Sequence, residues 1–320
     1  MNEIADTFRP LPDLPRPARE RLPSLVGDLR QLAHTRRIVL ADGPDSGQKL
    51  IEMSTGGGLD LTIKETGAFD IASVRFRGLP VGWRHPSGDV GNAERALTGF
   101  LVTCGLENVR APRNGLPKHG TLALSPARLL GLGEDWDAAR PELFAEGEVT
   151  RPHPGGGVLR LHRRIAAPIG GTALTITDTI RSIGAAPAEM FILYHANFGF
   201  PLAAPGCTVT LGEATIEQLG EALFGTAPGA PRCHANTTGQ RVTIARPPRG
   251  DWPGLTVSMD VSADTLPWLQ IWRDPRRRRN ILAVEPCNCG LAADGTSLSG
   301  TLLAPGETWK SSLHFQFRHP

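Results

Sequence analysis

The sequence predicts an all-β protein, one large domain made of two big antiparallel sheets packed face to face. Three observations lead there. Segments of strand character dominate the chain from residue 36 onward, and the clearest alternate with period two. No repeated strand–helix alternation is present, which argues against a parallel α/β sheet. Glycine (37) and proline (28) are abundant, as expected where many short elements are joined by tight turns. There is no internal repeat of fixed period and no low-complexity linker between two domains. The expected division is a short N-terminal arm, residues 1–25, and a β-sandwich domain, residues 26–320.

Taken in order, the chain begins with a proline-rich stretch to Pro17, expected to be extended. RERLPSLVGDLRQLAH suits one or two short helices, since Leu22, Leu25, Val26, Leu29 and Leu32 fall near helical spacing. RRIVLADG, KLIEM, LDLTI and FDIASVRF then read as strands. Between the second and third, TGGGLD (Thr55–Asp60) is a hairpin turn. It lacks the Lys-Ser/Thr and the following helix of a phosphate-binding loop. AERALTGFLVTCG, from Ala93 to Gly105, is the one plausible helix in this region. Strands resume with GVLRLHRRI, ALTITDTIRSI, EMFILYHANF, CTVTL, RVTIA, LTVSMD, WLQIW, ILAVE and SLHFQF. The clearest is Leu174–Ile180. Leu174, Ile176 and Ile180 share one face and three threonines fill the other, with Asp178 as the polar exception on the apolar face. Leu313, Phe315 and Phe317 alternate in the same way near the C-terminus.

Composition narrows the function classes. A formal net charge of +2 offers no electrostatic case for nucleic acid or a membrane surface as partner. Cys104, Cys207, Cys233, Cys287 and Cys289 make an odd set of five, unlike a disulfide framework. The N-terminus lacks the apolar segment of a signal peptide, and no window reaches transmembrane length. A soluble cytoplasmic protein is expected. Cys287-Asn288-Cys289 is not the usual C-x₂-C and has no second pair, so no metal site is expected.

Three stretches carry candidate chemistry: GLPKHGTLAL around His119, LYHANFGFP around His195 and LAVEPCN around Glu285. His119 precedes Gly120, and a glycine there lets backbone approach a ligand closely. Glu285 ends a buried strand, where a carboxylate is costly unless it is paired or employed. Unperturbed histidine titrates near ~6.5 and glutamate near ~4.3, and burial raises the latter, so the set suits proton transfer near neutral pH. The plainer reading is also open. Each histidine could be a satisfied core or surface residue, and Glu285 could pair with an arginine. Spacing alone does not bring the three together.

The order of these motifs adds information. HG at His119-Gly120, YHANF, LQIW at Leu269–Trp272 and VEP at Val284–Pro286 resemble the aldose 1-epimerase (galactose mutarotase-like) family. TGGGLDL, DIASVRFRGLPVGW, LVTCGLENV, YHANFGFPL, EPCN and LLAPGET are similar to an uncharacterised epimerase-like branch of it. The resemblance runs from about Val26 to the C-terminus. It implies the large antiparallel galactose-mutarotase-like supersandwich. It also implies Glu285 as general base on the anomeric hydroxyl, His195 as general acid at the ring oxygen and His119 as the histidine that binds and polarises the sugar. No cofactor is implied, because the reaction moves only protons.

Substrate contacts are expected from Asn197, Arg84, Trp272, Arg273 and Asp70. The chain departs from the branch at ETGAFDI (Glu65–Ile71), where relatives read like DRGMDI. It departs again at Thr121, where an arginine usually follows HG. Two guanidinium groups are therefore missing, at Thr66 and Thr121, and Glu65 or Asp70 are candidate replacement contacts. Arg273 with Arg276–Arg279 is either a solvated loop or a clamp for an anionic substituent on the sugar. Trp83, Trp268 and Trp272 are either core residues or stacking platforms. The expected activity is sugar anomer interconversion, on a neutral, anionic or modified aldose. An isomerase or lyase acting beside the carbonyl of a keto sugar, and a non-catalytic carbohydrate-binding protein, are the alternatives. The expected partner is a small-molecule sugar, with a homodimer left open.

Overall fold

The computed structural model describes residues 19–43, 45–86 and 97–320. The predicted arm therefore lies mostly outside the described residues. Where it enters them it forms a short helix, α1 (Leu22–Leu25), and a 3-10 turn at Leu29–Gln31. Leu22 is buried against Leu29, Leu32 and Trp136, which accounts for the helical spacing of the leucines.

Among the described residues twenty strands follow. The first five are β1 (His34–Val39), β2 (Lys49–Ser54), β3 (Leu59–Lys64), β4 (Asp70–Phe76) and β5 (Leu79–Pro80). Next come β6 (Leu101–Leu106), β7 (Arg128–Asp135), β8 (Glu142–Pro152), β9 (Val158–Pro168) and β10 (Ala173–Ser182). The middle set is β11 (Ala188–Phe198), β12 (Thr208–Leu211), β13 (Ala214–Gln218), β14 (Arg232–Ala235) and β15 (Val242–Arg246). The last are β16 (Leu255–Val261), β17 (Trp268–Asp274), β18 (Ile281–Cys287), β19 (Thr301–Leu303) and β20 (Thr308–Arg318). The first five make a meander in sequence order. Nine strands make the large sheet, in the order β13-β12-β15-β16-β20-β10-β9-β8-β7. The third sheet runs β14-β17-β18-β11-β19, with β6 also paired to β11. All strand pairs are antiparallel, as predicted. No helix among the described residues is long and apolar enough to cross a membrane.

One apolar core joins the layers. Leu174, Ile176 and Ile180 of β10 and Leu313, Phe315 and Phe317 of β20 lie in the same cluster as Ala196 and Phe198 of β11 and Leu282 and Val284 of β18. Period two does the rest: if one set of alternate residues on β11, β17 and β18 faces this core, the other set faces outward. The exception Asp178 is explained by what it meets. Arg163 Nε and Nη2 donate to its two oxygens at 2.8 and 2.6 Å, and the hydroxyl of Tyr194, the chain's one tyrosine, donates at 2.6 Å. Arg163 also donates to Asp70 at 2.6 Å, and all four groups are buried.

Two sequence expectations are corrected. The segment expected to be helical, Ala93–Gly105, instead enters β6, fully buried from Leu101 to Leu106, and its residues before 97 lie outside the described ones. A short apolar run covered on both faces cannot be told from a helix by periodicity. β8 was not foreseen, because its inward positions Leu143, Ala145, Gly147 and Val149 include two of the smallest residues. Gly147 is required there: a Cβ would sit 2.6 Å from the ring of Phe69.

Candidate active site

The outward face of the third sheet carries four of the predicted residues, His195, Asn197, Trp272 and Glu285. On β11 the alternation places Tyr194, Ala196 and Phe198 in the main core and His195 and Asn197 on the other side. On β18 Val284 packs inward, and its neighbour Glu285 therefore faces outward. The β17–β18 register sets Gln270 opposite Glu285 and Trp272 opposite Ala283. Glu285 is fully buried, and its Oε2 accepts from Gln270 Nε2 at 2.7 Å. Its Oε1 has no hydrogen-bond partner and lies 3.6 Å from His195 Nε2. An orphaned buried carboxylate oxygen is a departure from the rule that buried polar atoms are paired, and it faces the imidazole.

Hydrogen bonding fixes both histidines. Asn197 Nδ2 donates to the carbonyls of Leu97 and Gly99, so its Oδ1 is turned to accept from His195 Nδ1 at 2.5 Å. The His195 proton on Nδ1 is thereby committed, and exchange with a ligand runs through Nε2. His119 shows the opposite pattern. Its Nδ1 accepts the backbone N–H of Arg110 at 3.2 Å, which leaves the neutral ring with its hydrogen on Nε2. No acceptor for that hydrogen is present among the described residues. The His119 and His195 rings meet edge to face, with centroids 5.7 Å apart. Trp272, half-buried, stands edge-on to His195 at 6.3 Å.

Electrostatics separate the roles. Burial pushes the Glu285 carboxyl above its ordinary range, opposed in turn by His195, Arg110, the Gln270 hydrogen bond and Lys118. Burial holds the His119 imidazolium well below its ordinary range, helped by His195, Lys118 and Arg110. A neutral His119 can donate a hydrogen bond from Nε2, and a carboxylate raised in this way can serve as a base for a weakly acidic hydroxyl.

Other candidates fall elsewhere. Asp70 is not in the cleft: its oxygens take Thr103 N at 2.8 Å, Thr103 Oγ1 at 2.7 Å and Arg163, inside the core. Glu65 is held by Arg37 through two bonds of 2.6 and 2.7 Å. Arg273 alternates away from Gln270 and Trp272, and its Nε lies 3.3 Å from Glu217. Arg84 is exposed and borders a groove of about 860 Å³ along the first sheet. Of the arginine run, Arg276 grips Asp274 at 2.8 and 2.5 Å, and Arg279 Nη1 lies 3.1 Å from His85 Nε2. Trp83 is buried, with Nε1 donating to the Arg279 carbonyl at 2.6 Å. Trp268 packs on a second small core containing Cys104 and Cys287.

Gly120 serves backbone rather than ligand. It bridges to Gly105, and a Cβ there would meet the carbonyls of Asn108 and Gly105 at 2.6 Å. Thr121, where the resemblance leads one to expect arginine, meets a guanidinium from another strand: Arg151 Nη2 donates to its Oγ1 at 2.5 Å. Sequence reasoning missed three residues. Gln270 stands inside the quoted LQIW, and its signal was the alternation with Trp272. Arg110 and Lys118 carried no pattern of their own. Among the described residues no set of three His, Cys, Asp or Glu side chains is arranged to hold a metal ion. Cys233, Cys287 and Cys289 do converge, but on the Arg110 guanidinium, which fills the place a cation would take.

Comparisons with known proteins agree with this fold. The family model described as domain of unknown function DUF4432 matches residues 45–317, and the chain belongs to that family. No curated protein matches the sequence. Among solved structures, a proposed aldose 1-epimerase from Klebsiella pneumoniae superposes with a TM-score of 0.69 at 18% identity, over 91% of this chain and 86% of that one. A galactose mutarotase-like protein from Clostridium acetobutylicum gives 0.61 at 12% identity, over 91% and 100%. Galactose 1-epimerase from Lactobacillus acidophilus gives 0.55 at 11% identity, over 89% and 98%. The protein has the galactose-mutarotase-like sandwich fold.

Proposed function

We propose that the protein is an aldose 1-epimerase that interconverts sugar anomers by general acid–base ring opening. One observation carries the reading. A partnerless carboxylate oxygen and an imidazole nitrogen, 3.6 Å apart on a buried face, suit two oxygens borne by one carbon. A cyclic aldose presents that arrangement at its anomeric carbon, with the hydroxyl and the ring oxygen as neighbours.

The steps balance without a cofactor. Glu285 takes the proton of the anomeric hydroxyl, whose electrons form the carbonyl. The bond from the anomeric carbon to the ring oxygen breaks, and that oxygen takes the Nε2 proton of His195, which enters the cycle as the imidazolium with its Nδ1 hydrogen held by Asn197. Rotation about the adjacent carbon–carbon bond presents the other carbonyl face. His195 then removes the proton from the hydroxyl, the oxygen attacks, and Glu285 returns its proton to the new anomeric oxygen. Neutral His119 donates a hydrogen bond to the sugar, and Trp272 walls the site. Asn197 contacts His195 rather than sugar, so its contribution is to hold the tautomer.

The engagement of Arg273 with Glu217 and of Arg276 with Asp274 favours a neutral aldose over an anionic one. Anomer-exchange NMR on a sugar panel tests the proposal: wild type accelerates exchange, and Glu285→Gln or His195→Ala loses about 10² to 10⁴ in rate. Carbon-bound deuterium appearing in deuterated water would instead indicate chemistry beside a keto-sugar carbonyl. Binding with no acceleration would indicate a carbohydrate-binding protein.

A further inference from the structure

We propose that Arg110 is a positioning residue that prepares both sides of the site, its backbone holding His119 and its guanidinium holding Gln270 against Glu285. The proposal deepens the epimerase reading and rests on it. Arg110 is buried, and its φ of +67° lies in the left-handed region that side chains rarely adopt. That conformation lets one residue send its N–H to His119 Nδ1 and its side chain back under the sheet.

Every guanidinium nitrogen is engaged. Nε donates to Gln270 Oε1 at 2.7 Å. Nη1 donates to the Gly290 carbonyl at 2.9 Å, Ser297 Oγ at 3.0 Å and Cys289 Sγ at 3.2 Å. Nη2 donates to the Cys289 carbonyl at 3.0 Å and Cys287 Sγ at 3.1 Å, with Cys233 Sγ at 3.9 Å. Among the described residues no carboxylate pairs with it directly. A buried cation without a carboxylate partner is expensive, and here thiols, carbonyls, a hydroxyl and an amide oxygen meet its donors.

That charge is relayed by one amide. Arginine only donates, and an ionised carboxylate only accepts. An amide held between them has one stable orientation, with oxygen to Arg110 and nitrogen to Glu285. Gln270 therefore fills Glu285 Oε2 and leaves Oε1 free beside His195. The groups acting on Glu285 are His195 from β11, Gln270 from β17, and Arg110 and Lys118 from the segment after β6. Arg110 opposes the burial that raises the Glu285 carboxyl, and it adds to the burial that keeps His119 neutral.

The test combines a carboxyl titration with a rate. The Glu285 side-chain carbon is followed by ¹³C NMR in glutamate-labelled protein, assigned as the resonance missing from Glu285→Gln. Arg110→Met is expected to raise its midpoint by roughly one pH unit or more. Gln270→Leu is expected to raise it as well and to slow anomer exchange about tenfold or more at saturating sugar. Arg110→Lys restores the charge but not the fork, so it recovers most of the midpoint and little of the rate. An unchanged midpoint in Gln270→Leu, together with unchanged rates per folded molecule in Gln270→Leu and Arg110→Lys, would overturn the proposal, whether or not Arg110→Met folds. If wild type accelerates no anomer exchange, the epimerase reading fails, while the carboxyl titration still decides the role of Arg110.

Discussion

Replacing Arg163 by methionine removes a fully buried guanidinium from the core while nearly preserving the volume of the stem. The structure says what is lost: two bonds to Asp178, one to Asp70 at 2.6 Å and one to the Ala68 carbonyl at 3.4 Å. Asp70 and Asp178 are left buried without a cation. Breaking a buried ion pair by removing one partner costs on the order of 3–5 kcal/mol. At about 2 °C per kcal/mol for a chain of this size, the melting temperature should fall by roughly 6–10 °C. The defect should also depend on pH. Burial already pushes Asp70 above its ordinary carboxyl range, and Arg163 is the largest opposing influence. Without it the folded-state value rises further above the unfolded one. Stability is then fully retained below the unfolded value and lost as pH rises through the folded one, so the difference from wild type shrinks on acidification. Thermal unfolding followed by circular dichroism from about pH 4 to 8 measures both effects. A loss under ~1 kcal/mol at neutral pH, or a defect that grows on acidification, would refute the reasoning.

Three further outcomes are expected. Anomer exchange should fall with decreasing pH through the raised Glu285 value, placing the acidic limb above the ordinary ~4.3, because only the ionised carboxylate can accept the proton; a limb at or below that value in a steady-state pH profile contradicts the assignment. Iodoacetamide near neutral pH should label Cys233 first. Its hydrogen bond with Cys287 and the charge of Arg110 bring it down to about 7, whereas burial raises Cys104, Cys207, Cys287 and Cys289. Peptide mass mapping that finds Cys104 or Cys207 labelled as fast would contradict this. Gly120→Ala should lower both the melting temperature and the exchange rate, since φ is +69° and the new methyl meets two carbonyls at 2.6 Å beside His119; retention of both would show that the loop can yield.

Much of the fold was legible because many inward positions are large. β10 and β20 announce themselves through Leu174, Ile176, Leu313 and Phe315, and their registers pair Leu174 with Phe315 and Ile176 with Leu313. β8 was hidden because two of its inward residues, Ala145 and Gly147, are small, and Gly147 makes room for Phe69 from elsewhere in the chain. β6 was misread because Leu101, Val102 and Cys104 are covered on both sides, which erases the alternation. Within the site, His119, His195 and Glu285 were visible as motifs; the third sheet sets His195 beside Glu285, and the segment after β6 brings His119 to them. Asp70 was misplaced because a carboxylate that pairs with an arginine 93 residues away in sequence looks, in sequence, like one that awaits a ligand. Arg110 was invisible for a similar reason. Its partners Gln270, Cys287 and Cys289 are distant in the chain, and no local spacing records a guanidinium threaded beneath a sheet.

The central claim is that Glu285 and His195 together move the protons of a sugar's anomeric carbon. The most direct measurement is two-dimensional exchange NMR on neutral and anionic aldoses at equilibrium, comparing wild type with Glu285→Gln and His195→Ala at equal concentrations of folded protein. The account predicts acceleration by wild type on at least one neutral aldose and a loss of roughly 10² or more in each variant. Equal exchange in all three proteins, or acceleration that survives Glu285→Gln, would contradict it.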